Sequence, residues 1–319
     1  MLVLADDMGW RDPGFMGSDF HRTPNLDRLA AEGLTFHHAY ANAPVCAPTR
    51  AALLSGMYAV RTGGYTVGGS RRPSTPQRLI TPQNARSLDP DIVTFPDLLQ
   101  AAGYATGHFG KWHLGRLDGP DGPHACGFDV SVGAAGGGAT RTYFAPYGLA
   151  DLEDAPEGEY LTHRLTDEAI AFIQANAARP FFAYISHYTV HTPIEVEPSV
   201  LAAVKTRPAG TMHSRAAYAA MIESLDSSVG RLLAALEDEG VARNTVVVFA
   251  SDNGGSWRTT RMDPLNGYKG SLNEGGIRVP CVVRYPGVVA PGRRCDASVM
   301  LFDLYPILIE LSNGALPQR

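Results

Sequence analysis

The sequence is short of cysteine, of basic clusters and of long apolar runs, and each shortage removes a class of protein. Its 319 residues include four cysteines, Cys46, Cys126, Cys281 and Cys295. They lie far apart with no CxxC spacing, so neither a disulfide framework nor a thiol zinc or redox pair is indicated. A chain this long buries roughly three quarters of its unfolded surface and needs no such staple. No stretch of about 18 apolar residues occurs, so no membrane-spanning helix is expected. The first residues lack the basic-then-apolar order of a signal peptide, and no address is expected from them. Lys and Arg number 27 against 32 Asp and Glu, a formal net charge of -5. Without a Lys/Arg cluster, that balance argues against nucleic acid or anionic lipid as the main partner.

What is present is an alternation of strands and helices. Met1 to Ala5 reads as a short buried strand that ends in Asp6 and Asp7. Thr23 and Pro24 start a helix, by an N-cap and a proline in the first turn, and Gly33 closes it. Thr94 with Asp97 has the spacing of a capping box, ahead of Leu98, Leu99, Ala101, Ala102 and the terminator Gly103. A strand follows over 105–109. Leu161, Leu165, Ala169, Phe172 and Ile173 recur at helical spacing, and 181–185 reads as a buried strand after Pro180. A long amphipathic helix through Ala220, Leu225, Val229, Leu232 and Leu236 stops at Gly240. The β-branched run 245–250 is then a strand leading to Asp252 and Asn253. This order predicts an α/β fold, a three-layer α/β/α sandwich with a mostly parallel central sheet. No internal repeat or linker divides residues 1–319, and 63–91 and 115–158 read as surface loops around a site.

In such sheets ligands collect beyond the carboxyl ends of the strands. Four predicted strands deliver polar residues there: Asp6 and Asp7, Lys111 and His113, His187 and His191, Asp252 and Asn253. Together they point to a cation site with basic surroundings. Three carboxylates and an amide carbonyl are hard oxygen donors that suit calcium or magnesium over zinc. Taken singly, each pair also fits a turn, since Asp, Asn and Gly are good turn residues. Cys46 opens the run Cys46-Ala47-Pro48-Thr49-Arg50 at the start of an apolar helix, facing free backbone N–H groups and the positive end of the helix dipole. Arg50 lies one turn along on the same face. Such a place favours a nucleophile or an anion. Cys281, inside the apolar run 279–283, reads instead as a small buried hydrophobe.

The run CAPTR at 46–50 has the form CxPxR, and with it the sequence resembles the type I sulfatases of the alkaline phosphatase superfamily. LADDMGW (4–10), GKWHLG (110–115), VHTP (190–193), SDNGG (251–255) and YKGSLNEGGIRVP (268–280) resemble the other family motifs, in the family order. The resemblance implies that a separate formylglycine-generating enzyme oxidises Cys46 to formylglycine. It implies a divalent cation, usually calcium with magnesium as the alternative, held by Asp6, Asp7, Asp252, Asn253 and the oxygen made from Cys46. Arg50 and Lys111 then correspond to groups holding the formylglycine hydrate. His113 matches a residue that helps expel sulfate, and His191 and Lys269 match contacts to sulfate and the leaving-group oxygen. His187 has no family role and is expected to be structural.

The chemistry so implied is hydrolysis of a sulfate ester whose oxygens are neutralised by the cation, Lys111, Lys269 and Arg50. One hydroxyl of the hydrate, deprotonated by Asp252, attacks sulfur, and His191 protonates the departing alcohol. The second hydroxyl, losing its proton to His113, expels sulfate. The expected substrate is a sulfated carbohydrate or an aryl sulfate. Sugars are favoured by the likeness of 187–195 and 268–280 to carbohydrate sulfatases, and by Arg71, Arg72, Arg78 and Arg86, suited to anionic groups on a glycan. Family habit places the protein in the periplasm or outside the cell. Because family members extend further at both ends, residues 1–319 are expected to be a sulfatase catalytic domain with a shortened first strand and without the C-terminal subdomain. Two other readings stay open. One is a phosphate mono- or diester hydrolase of the same superfamily, against which Cys46 counts because those enzymes usually use Thr or Ser. The other is an inactive chain that binds metal and sulfated glycan.

Overall fold

A computed structural model describes residues 1–69, 80–152 and 155–312. The strands are β1 (Leu2–Ala5), β2 (Leu34–Phe36), β3 (Ala39–Tyr40), β4 (Ala105–Gly110), β5 (Val130–Val132), β6 (Phe181–Ser186), β7 (Val247–Ser251), β8 (Cys281–Arg284), β9 (Arg293–Cys295) and β10 (Val299–Met300). The helices are α1 (Pro24–Glu32), α2 (Cys46–Ser55), α3 (Ala59–Thr62), α4 (Phe95–Ala101), α5 (Leu161–Asn176), α6 (Pro198–Lys205), α7 (Ala216–Asp238), α8 (Glu274–Ile277) and α9 (Leu304–Leu311). Eight strands form one sheet in the order β5-β4-β6-β1-β7-β8-β2-β9, in which β8 alone runs against the others. The expected mostly parallel α/β sheet is therefore present.

β1 is apolar throughout, and β6 and β7 are so up to their closing serines, because both of their faces are covered. Alternate side chains enter different cores. Val3, Ala5, Ile185 and Phe249 pack into the layer of α5 and α7, while Leu2, Leu4, Tyr184 and Val248 pack into the layer of α2, α4 and α9. A charged residue that follows such a run has nowhere to go but the carboxyl edge. The register keeps those edges level: Leu4 and Gly110 both lie opposite Ser186, and Ala5 lies opposite Ser251.

Several local expectations change. Thr23 precedes α1 but does not cap it with its side chain; its hydroxyl instead accepts from Gly14 N (2.7 Å) and donates to Asp27 Oδ1 (3.0 Å). The free amides of α1 are met from α7, where Asp226 accepts from Asn25 N (3.2 Å) and Leu26 N (2.8 Å). Gly33 ends α1 in extended backbone, and glycine is needed there for space, since a Cβ would lie 2.6 Å from Val283 O. The capping box at Thr94 and Asp97 is present. The 115–158 stretch is more than a surface loop: it contains β5 and buries Phe128, Tyr143 and Tyr147, because strand pairing with β4 and packing on α5 both need it. Leu88 in the other loop is buried, its N–H donating to Leu114 O (2.9 Å). Arg71, Arg72 and Arg78 lie outside the described residues. Among the described residues no helix is long and apolar enough to cross a membrane.

Candidate active site

The carboxyl ends of β1, β4, β6 and β7 meet the first turn of α2. Backbone hydrogen bonds continue the sheet one step past its end. Asp6 N donates to Thr189 O (3.0 Å), Lys111 N to Ser186 O (2.7 Å) and Asp252 N to Ala5 O (3.1 Å). The turns that follow are tight. Asp7 and His113 are the two non-glycine residues with positive φ among those described, at 63° and 64°. Gly110, at φ 108°, leaves β4 where a Cβ would lie 2.2 Å from Ser186 O. Left-handed backbone at non-glycine residues costs energy and concentrates at functional sites.

Cys46 is the first residue of α2, buried, with its thiol 3.4 Å from Asp6 Oδ1 and 3.8 Å from Asp7 Oδ1. Three cations close around these carboxylates. Lys111 Nζ donates to Asp6 Oδ2 (2.6 Å) and Lys269 Nζ to Asp7 Oδ2 (2.7 Å). Arg50 grips Asp252 Oδ2 with Nε (3.0 Å) and Nη2 (2.8 Å), and its Nη1 donates to Lys111 O and Ser186 Oγ. Asp252 Oδ1 accepts from Asp7 N (3.2 Å). Asn253 Nδ2 donates to Asp7 Oδ1 (2.7 Å), while Asn253 Oδ1 is buried without a hydrogen-bond partner. His191 Nε2 lies 3.6 Å from Asp7 Oδ2, its Nδ1 donating to Thr192 O (2.7 Å). The loop carrying Lys269 is pinned on both sides, by Lys269 N to Gly255 O (3.0 Å) and Gly270 N to Pro44 O (2.8 Å).

Nine of the residues singled out in the sequence thus form one connected cluster. His113 stands beside it, sharing a small cavity with Ala47 and Pro48, its buried Nδ1 without a partner. His187 is not in it; its Nε2 meets Ser228 Oγ of α7 at 2.9 Å, as a structural histidine would. Three residues that sequence reasoning missed hold the cluster in place. Ser186 Oγ (2.8 Å) and His108 Nε2 (3.3 Å) donate to Lys111 O. Tyr143 donates to Tyr188 O (2.6 Å) and His191 O (2.9 Å), fixing the His191 turn.

The electrostatics follow from burial in a crowded set of charges. Burial works to raise the Asp6 carboxyl, but Lys111, His191 and Arg50 outweigh it and hold it below the usual range. Burial, then Asp252 and Asp6, push the Cys46 thiol well above its ordinary value. The unmodified thiol therefore stays protonated, a poor nucleophile. Burial lowers His113 to about 3, helped by Lys111 and Arg50, so this ring is neutral at ordinary pH. Burial opposes the charge on Lys269, but Cys46, Asp7 and Asp6 outweigh it and raise the ammonium.

Comparison with known proteins agrees with this geometry. The family described as "Sulfatase" matches residues 1–315. This chain belongs to the sulfatase family. A sulfatase of Formosa agariphila is 35% identical over 383 aligned residues, covering 99% of this chain and 68% of its own length. An N-acetylgalactosamine-6-sulfatase of Sus scrofa is 34% identical, covering 98% of this chain and 62% of its own. The crystal structure of Ps i-CgsB in complex with k-i-k-neocarrahexaose superimposes with a TM-score of 0.83 at 31% identity, over 99% of this chain and 72% of that one. This sulfatase chain therefore spans about two thirds of the length of such relatives.

Sulfatases carry a divalent cation and a formylglycine, and the residues here fit both. Asp6, Asp7, Cys46 and His191 bring ligand atoms within 4.8 Å of one another. The orphaned Asn253 Oδ1 is a buried acceptor that a cation would satisfy. Three carboxylates facing three side-chain cations leave this cluster near neutrality, so a divalent ion would make it a receptor for an anion.

Proposed function

We propose that this chain hydrolyses sulfate esters of carbohydrates at Cys46. A formylglycine-generating enzyme would convert that residue, and Asp6, Asp7, Asp252 and Asn253 would hold a calcium or magnesium ion. When in place, the ion would offset negative charge on the ester oxygens, and the formylglycine would supply the attacking oxygen. The observation that carries this reading is the position of Cys46, at a helix N-terminus, against two carboxylates and inside a ring of three cations.

The chain's own residues do the remaining work. Lys111 and Arg50, locked in place by Asp6 and Asp252, present positive charge beside residue 46 without having to reorganise. Lys269, at the mouth, meets the sulfate oxygens. His191 gives its Nδ1 proton to Thr192 O, so Nε2 is the atom that carries a proton towards a leaving-group oxygen. His113, neutral and with its buried Nδ1 unpartnered, stands next to residues 47 and 48 as a free acceptor for the hydrogen bond of a hydroxyl at residue 46. A raised thiol explains why the unmodified cysteine would not serve in this place.

The sugar assignment rests on the relatives: the pig enzyme is named for N-acetylgalactosamine 6-sulfate, and the carrageenan oligosaccharide complex has the same fold. By family habit the enzyme would work in the periplasm or outside the cell. The test is co-expression with a formylglycine-generating enzyme, the mass of the peptide carrying residue 46, and turnover on sulfated galactosides and hexosamines, an aryl sulfate, a steroid sulfate and a phosphate monoester. Faster turnover of the phosphate or steroid ester by the converted protein would overturn the proposal.

A further inference from the structure

Behind the turn that follows Asp7 lies a second group of metal-type ligands that the sulfatase chemistry does not use. Asp12, His21 and His213 are all buried, and each offers one ligand atom within 4.8 Å of the others. His213 Nε2 is 3.4 Å from Asp12 Oδ1, and His21 Nδ1 is 3.7 Å from the same oxygen. Tetrahedral zinc with bonds of about 2.0–2.1 Å sets its ligands roughly 3.3–3.4 Å apart. The side chains already stand near that spacing.

The hydrogen bonds around the group point the same way. His213 Nδ1 faces Asp19 Oδ1 at 3.2 Å and gives its proton to that carboxylate. The neutral ring then aims the lone pair of Nε2, which is buried and without a hydrogen-bond partner, at the carboxylate oxygen of Asp12. Two acceptors facing each other in a buried place need something positive between them. A carboxylate behind the far nitrogen of a histidine is also the usual support of a metal-bound imidazole. Asp12 is itself oriented, accepting from Gly9 N (2.6 Å), Tyr218 Oη (2.7 Å) and Thr260 Oγ1 (2.5 Å). A cavity of about 250 Å³, lined by His21, His213, Trp257, Thr260 and Arg261, gives access.

We propose that Asp12, His21 and His213 form a second metal site, suited to zinc or a similar transition metal and separate from the oxygen-rich cluster at Asp6 and Asp7. Two imidazole nitrogens beside one carboxylate make a zinc-type donor set, because calcium takes oxygen ligands throughout. On binding, His21 Nδ1 exchanges its hydrogen bond to Asp12 O (3.0 Å) for the metal, and the ring proton moves to the other nitrogen. The role is to brace the active site. Tyr218 Oη bridges Asp12 and the backbone oxygen of Asp7 (3.3 Å), so an ion here stiffens the turn that carries the catalytic carboxylates.

The experiment is titration of the whole chain with zinc and with cobalt(II) in excess calcium. One equivalent of cobalt should bind with the visible absorption of a four-coordinate nitrogen/oxygen site, and zinc should displace it. Zinc at a hundredfold excess over its Kd should raise Tm by about 3–5 °C. His213→Ala should lose both effects and Cys46→Ala should keep both; His213→Gln replaces the alanine variant if that does not fold. X-ray absorption of the zinc-loaded wild-type chain should show two imidazoles and no sulfur, independently of any variant. The proposal falls if the wild type takes up no zinc, if His213→Ala binds it unchanged, or if the bound zinc has sulfur in its shell, which would place it at Cys46.

Discussion

Of the three ion pairs at the carboxyl edge, two are sealed and one is open. The side chains of Lys111, Asp6, Arg50 and Asp252 are at most 1% exposed, whereas Lys269 is 21% and His191 17% exposed beside Asp7. The sealed floor is built from strand ends and a helix, and Arg50 ties them together by donating to Asp252, Lys111 O and Ser186 Oγ. The open mouth is built from loops. In a floor of this kind each charge is tolerated only because its partner is present, so removing one strands the other in a low dielectric. At the mouth water reaches the charges and screens the loss. The floor therefore carries geometry and stability together, while the mouth is free to spend its charge on a substrate.

The largest effect should come from Arg50→Met. It leaves Asp252 buried and unpaired and drops the hydrogen bonds to Lys111 O and Ser186, a loss of about 3–5 kcal/mol in unfolding free energy, and activity should vanish with it. A denaturant titration checks the first and turnover of an aryl sulfate the second. The double change Arg50→Met, Asp252→Leu should recover much of the stability and none of the activity. A single variant that melts with the wild type would break the distinction between floor and mouth.

Lys269→Ala and His191→Asn should behave in the opposite way. Each should lower kcat/KM by about 10²–10³ while changing stability by about 1 kcal/mol or less. The His191 loss should be greater on a sugar sulfate than on an aryl sulfate, because a phenolate leaves readily without a proton. Equal losses on both esters would remove His191 from the role of acid.

Much of this contrast was legible in the sequence, for a physical reason. A parallel strand buried on both faces is mostly apolar, so the charge that ends it is conspicuous: Asp6 stands just beyond LVLA and Asp252 just beyond VVFAS, whereas Lys111 follows the more mixed ATGHFG. Lys269 was found only through its likeness to a family motif, since its loop has no periodicity. Ser186 and His108 gave no signal, because one polar residue at or within a strand says nothing about the carbonyl it will hold. The β2, β8 and β9 edge was missed for a related reason. Strands of three or four residues, one of them Arg293-Arg294-Cys295, are chosen by their distant partners and not by their own pattern. Asp226 was invisible in the same way, since the helix it caps lies 200 residues away in sequence.

Asp226 sharpens the comparison, for it is a buried carboxylate held by the amides of Asn25 and Leu26 rather than by a cation. Burial raises it from 3.8 to about 6, with the amides only partly offsetting the effect. A raised carboxyl means that the folded state holds the proton more tightly than the unfolded one. Its contribution is thus full below about pH 4 and is lost as pH rises through about 6. At about 1.4 kcal/mol for each pH unit, the change is on the order of 3 kcal/mol. Urea titrations of wild type and Asp226→Asn from pH 4 to 7.5 measure it as a difference, in which the other titrations cancel. The wild type should lose stability relative to the variant across that range. A flat difference would show that amide dipoles alone neutralise a buried carboxylate as fully as Lys111 and Arg50 do on the floor.

The smallest effect should come from a change that touches neither floor nor mouth. Thr94 Oγ1 accepts from Asp97 N (3.5 Å) at the start of α4 and contacts Cys126 O (2.9 Å) and Asp97 Oδ2 (2.8 Å). Thr94→Ala frees one helix amide and leaves the Cys126 carbonyl short of a donor, at a cost of about 1–2 kcal/mol. Thr94→Ser keeps the hydroxyl and should cost about 0.5 kcal/mol or less. Neither should alter kcat/KM, because α4 contributes no side chain to the cluster around Cys46. If the serine variant lost as much as the alanine one, the methyl group and its packing would be what matters at this position, not the cap. If either variant lowered kcat/KM while leaving stability intact, the 88–94 segment that leads into α4 would have to be counted as part of the mouth.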